Sequence, residues 1–194
     1  MYFSNNINFQ YFFFDTYPGY FLQALPFALI GGAVYAVSQS RSKTRISVPS
    51  IILPSLFVSY MTGLLYLTLL EPIISDIYYF LFYHMPSGKG QHWFTFEYNL
   101  IPDFFYRFDG ENIGNILMYL PFGFLHPSFR KDGPWKTILA GMSVSIGIEL
   151  LQPVFGRRFD INDIILNGIG VIASTGIYYL FKRIIATGSL SFGK

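Results

Sequence analysis

The chain has 194 residues, of which 52% are hydrophobic and only 12% charged, with a formal net charge of +2. A soluble domain carries about 25% charged residues; a chain this poor in charge cannot face water all round, and lipid is the simplest apolar surrounding. Cysteine is absent, which excludes disulfides, thiolate metal sites and cysteine nucleophiles.

In chain order, the first nineteen residues hold no Lys or Arg, so the basic start of a cleavable leader is missing. They hold Tyr2, Phe3, Phe9, Tyr11, Phe12, Phe13, Phe14 and Tyr17, which predicts a short segment at the membrane interface. Apolar stretches follow at about Tyr20–Ser38, Val48–Leu70, Ile113–Ser128, Thr137–Gln152 and Ile164–Phe181. A span needs about 20 residues, so the sequence predicts an all-α polytopic bundle of five spans. The third and fourth stretches are short for that. Pro26, Pro49, Pro54 and Pro121 fall in or beside these stretches, where neighbouring helices can satisfy the freed backbone groups.

Basic residues give the orientation. Arg41, Lys43, Arg45, Arg130, Lys131, Lys136, Lys182, Arg183 and Lys194 fall on one side of a five-span chain, against Lys89, Arg107, Arg157 and Arg158 on the other. The richer side is expected to be cytoplasmic, with the N-terminus outside and the C-terminus inside. Residues 71–112 then form one long outer connection, whose run Ile73–Tyr83 reads as an amphipathic helix on the membrane or over the bundle. No repeat or low-complexity linker divides the chain, so 1–194 is one domain.

The few polar residues recur at helical spacing, about 100° per residue. Ser55, Ser59, Thr62 and Tyr66 share a face; so do Asn112, Asn115, Tyr119, Gly123 and His126; Gly141, Ser145, Glu149 and Gln152; and Asp160, Asp163, Asn167, Gly170 and Ser174. For the small and hydroxyl residues, close helix packing is sufficient reason. Glu149 is an ionisable group inside an apolar helix and so a functional candidate, with an ion pair to Arg157 or Arg158 as the alternative. Asn115, Glu149, Gln152, Arg157, Arg158, Asp160, Asp163 and Asn167 all fall near the outer membrane surface and form the candidate ligand-binding set. For Asp160 or Asp163 the alternative is a helix N-cap.

These residues carry a resemblance. Asn115 followed by Pro121-Phe122-Gly123, then Glu149-x-x-Gln152, then Arg158-Phe159-Asp160 with Asp163, Asn167 and Gly170, resembles the VanZ-like family of bacterial membrane proteins over residues 112–183. The family is named for a protein that lowers susceptibility to the glycopeptide teicoplanin. The resemblance implies a bacterial cytoplasmic membrane and a link to the cell envelope, and supplies no reaction.

Three functions follow from the chemistry. In the first, Arg157 and Arg158 grip an anionic envelope lipid or its headgroup, and the amides fix sugar or phosphate oxygens. In the second, Glu149 is the general base of an enzyme on lipid-linked substrates, with Asp160, Asp163 and Asn167 as a hard-cation shell. In the third, the aromatic tail and outer loop dock other envelope membrane proteins. The first is the leading reading; it calls for no cofactor and no metal. Five spans without an inverted repeat give transport little to build on. Topology alone accounts for the basic residues, so nucleic acid is not an expected partner.

Overall fold

The computed structural model describes residues 11–13, 16–42, 48–84, 94, 96–106 and 108–191, without the side chains of 42 and 188–191. The aromatic tail before Tyr11, Phe14, Lys43, Arg45, Lys89, Trp93, Arg107 and Lys194 lie outside the described residues.

The long helices are α1 (Tyr17–Ser42), α2 (Val48–Leu65), α3 (Glu71–Tyr83), α4 (Gly110–Arg130), α5 (Pro134–Leu151) and α6 (Ile161–Ser191). A π-helical turn, Tyr66–Leu70, joins α2 to α3, so that Val48–Tyr83 is one helical run of 36 residues. At about 1.5 Å per residue it is roughly 54 Å long, well beyond a hydrocarbon core of about 30 Å. The Ile73–Tyr83 run, expected as a separate element, is thus the end of the second helix. Pro72 does not stop the helix because it falls in the first turn of α3, where an N–H is dispensable. Its missing N–H leaves the Thr68 carbonyl without its ordinary α-helical donor, and Arg157 Nη1 donates to that carbonyl at 3.4 Å.

Among the described residues, four runs are long and apolar enough to cross a membrane: Tyr17–Arg41, Val48–Tyr83, Pro134–Phe155 and Ile161–Thr187. The stretch expected to be short in the fourth span gains length from the 3-10 turn Gln152–Phe155. α4 has the length, at 21 residues, but carries Glu111, Asn112, Asn115, His126, Ser128 and Arg130. It is nevertheless central, packed along α6 and also touching α2 and α5.

Small residues set these contacts. α1 and α2 run antiparallel, with Gly31 against Thr62, Gly32 against Ser59, and Tyr66 donating to Gln23 Oε1 at 3.0 Å. α4 and α6 run parallel, and a side chain at Gly123 would meet Ser174 and the Thr175 backbone, while one at Gly170 would meet the Ile116 carbonyl. α5 fits antiparallel on α6, with Gly141 against Val171 and Asn167 Nδ2 donating to Ser145 Oγ at 3.0 Å. Each polar stripe therefore lies between helices, the arrangement a lipid solvent demands. Leu29, Ile30, Val34, Ile172 and Ile184 stay exposed on the outside. Arg41, Arg130, Lys131, Lys136, Lys182 and Arg183 gather at one end. There Phe57 packs edge-on to Phe122 at 5.4 Å and His126 stacks on Phe122 at 5.2 Å.

Candidate functional site

The opposite end is organised by helix termini. Asp109 caps α4, its Oδ1 accepting from the N–H groups of Glu111 (3.0 Å) and Asn112 (3.4 Å). α5 tightens into the 3-10 turn and stops at Gly156, whose φ of 78° lies in the left-handed region. The chain then enters β2 (Phe159–Asp160), which pairs in parallel with β1 (Tyr98–Asn99), Asn99 opposite Asp160.

Asp160 is the N-cap of α6: its Oδ1 accepts from Asn162 N–H at 2.9 Å. Asn99 Nδ2 donates to both Asp160 oxygens, at 3.2 and 3.0 Å. Next along, Asn162 Nδ2 donates to Asp103 Oδ1 at 2.7 Å, and Asn162 Oδ1 accepts from the Asp103 and Phe104 N–H groups at 2.9 and 3.2 Å. Two Asn–Asp pairs therefore strap residues 99–104 to the start of α6.

Glu149 is 1% exposed, and its Oε2 accepts the backbone N–H of Asp160 at 3.1 Å. Among the described residues neither arginine comes within ion-pair distance of it. Arg158 instead sits 3.7 Å from Asp160 Oδ2 with its side chain 58% exposed, a surface pair worth under about 1 kcal/mol. Asn115 Nδ2 donates to Asp163 Oδ1 at 2.6 Å. Asn167 turns to Ser145 and Gln152 is buried at the end of α5.

The candidate set thus separates into three places. Asn115, Arg157 and Asp163 line a cavity of about 750 Å³ between α1, the π turn and α4. Glu149, Gln152 and Asn167 are buried between α5 and α6. Arg158 and Asp160 belong to the strapped surface. Asp160, Asp163 and Asn167 turn to Asn99, Asn115 and Ser145 respectively, so they do not converge as a cation shell. Among the described residues no three His, Asp or Glu side chains group as metal ligands.

The cavity adds residues outside the candidate ligand-binding set: Glu71, Glu111 and Tyr17. Glu71 had a signal, an acidic residue followed by proline at the end of an apolar run. Its walls are apolar (Phe21, Leu67, Leu117, Met118), and its polar end sets one guanidinium among three carboxylates. Arg157 is half-buried there; its one side-chain bond to a described residue goes to the Thr68 carbonyl, leaving guanidinium donors to spare.

A bundle with four apolar helices of spanning length is a multi-pass membrane protein. Residues 57–182, about two thirds of the chain, match the family model described as VanZ/LLP1, and the protein belongs to that family. The match begins inside α2, well before the polar motifs over 112–183. No curated protein and no solved structure matches the chain.

Proposed function

We propose that this protein binds the anionic group of an envelope lipid, or of a lipid-linked headgroup, in the cavity beside Arg157. The observation that carries the reading is a half-buried arginine with spare donors, in a cavity whose remaining walls are largely apolar. Such a site suits a ligand with a charged head and an apolar body, because a guanidinium with spare donors can grip a phosphate with two N–H groups. Asn115 serves by holding Asp163, and Glu149 by holding the turn before α6; neither role needs a reaction.

The protein sits, in this reading, in the bacterial cytoplasmic membrane with five spans. The basic end faces the cytoplasm and the cavity opens at the outer leaflet. A ligand from the envelope at that level connects the protein to glycopeptide susceptibility, and loss of the gene is expected to make cells more susceptible to teicoplanin.

The test is lipid retained on the purified protein, identified by mass spectrometry. Arg157→Ala is expected to lose it, whereas Arg158→Ala, outside the cavity, retains it. Full retention by a folded Arg157→Ala protein would count against the proposal. A second reading, docking to another envelope membrane protein, draws on the exposed Leu100, Ile101, Phe105 and Tyr106 beside the strap. Stable co-purification of a partner that is lost on Tyr106→Ser would favour it.

A further inference from the structure

We infer that the gap between α1 and α4 is a lateral seat for a zwitterionic phospholipid, with its phosphate at Arg157 and its ammonium among Glu71, Glu111 and Asp163. The inference rests on the lipid-binding reading above and specifies the headgroup and its route of entry.

The route follows from packing. α1 is fastened to α2 through Gly31 and Gly32, and α4 to α6 through Gly123 and the Gly170 contact, so α1 and α4 have almost no direct contact. Between their N-terminal halves the π turn and the start of α3 supply the back wall, through Leu67 and Pro72. On the water side Tyr17 reaches across to α4: its hydroxyl would lie 3.2 Å from a Cβ placed on Gly110. The remaining opening faces sideways, flanked by Phe21 on α1 and Leu117 on α4, which are 66% and 55% exposed. A second depression continues from the cavity along α1, over Tyr17, Pro18, Phe21, Leu22 and Leu25. An opening with apolar sides in a spanning bundle admits acyl chains from the bilayer, not solutes from water.

The headgroup follows from charge. A phosphate alone would gain Arg157 but sit beside the three carboxylates, and like charges in a partly dehydrated site oppose one another. An ammonium a few bonds from the phosphate answers those carboxylates, so a zwitterion matches both signs where a net-anionic headgroup matches one.

The experiment exchanges the purified full-length protein into an equal mixture of phosphatidylethanolamine and phosphatidylglycerol with identical chains. The retained lipid is then read by native mass spectrometry. Phosphatidylethanolamine is expected to be retained preferentially. Glu111→Gln, at an exposed position that leaves thermal unfolding unchanged, should cut that preference about tenfold, the scale of one charge-assisted hydrogen bond. Leu117→Trp, which fills the gap, should lower retention of both lipids. Equal or greater retention of phosphatidylglycerol overturns the zwitterion assignment and leaves lipid binding standing; retention of neither overturns both. Soluble phosphoethanolamine competing as well as the diacyl lipid overturns the lateral seat.

Discussion

Glu149 Oε2 accepts the backbone N–H of Asp160 at 3.1 Å, so a buried carboxylate on α5 fixes the residue that caps α6. The bond needs an acceptor at that position, not a charge. Glu149→Gln, whose amide oxygen can accept, is expected to keep the fold and the retained lipid. Glu149→Leu leaves the Asp160 N–H without its partner and should cost about 1–3 kcal/mol in thermal or denaturant unfolding in micelles. Conversion of a lipid substrate that disappears in Glu149→Gln would instead make Glu149 a catalytic base.

The strap predicts coupling across the chain. Asn99 and Asp160 are 61 residues apart in sequence and share two hydrogen bonds. Asp160→Ala should cost about 0.5–2 kcal/mol for the lost cap. A double-mutant cycle with Asn99→Ala should show an interaction energy of about 0.5–1.5 kcal/mol. Strict additivity would mean that β1 is not held by this pair.

Helix spacing gives a steric prediction. A Cβ at Gly123 would lie 2.6 Å from the Thr175 backbone nitrogen, which cannot rotate away. Gly123→Val is therefore expected to separate α4 from α6 at a cost of about 1–3 kcal/mol. Gly147 on α5 has open space at the same position, and Gly147→Ala should raise stability by about 0.5–1 kcal/mol. Thermal unfolding of the two variants in one detergent makes the comparison.

Absence of cysteine makes topology directly measurable. Tyr106, 88% exposed near the strap, and Lys131, at the basic end, mark the two faces. In whole cells a membrane-impermeant thiol reagent is expected to label Tyr106→Cys and to reach Lys131→Cys only after lysis. The reverse pattern would invert the orientation proposed from the basic residues.

The helical part of this fold was legible because helix periodicity is local. Ser59 and Thr62, Asn115, Ser145 and Asn167 were placed on interior faces by spacing alone, and each faces a neighbouring helix. Convergence was less legible, because it depends on how separate elements meet. Arg157 and Arg158 are adjacent in sequence, but on the non-helical run into β2 neighbouring side chains diverge, one into the cavity and one to the surface. Glu71 and Glu111 reach the cavity from different helices, and Asn99 finds Asp160 only once β1 lies beside β2. No periodicity within one segment encodes such meetings.

Pro72 has a consequence beyond the helix that contains it. Because it brings no N–H toward the Thr68 carbonyl, that oxygen is open to a guanidinium that lies 89 residues away in the chain. Pro72→Ala would supply a rival donor on the same helix, always adjacent and entropically favoured over a long side chain from elsewhere. Arg157 would then lose its tether, and lipid retention should weaken although no headgroup contact had been removed. An imino acid thus acts as a reserved vacancy in a hydrogen-bond ladder, and the cavity's cation is the tenant that holds it.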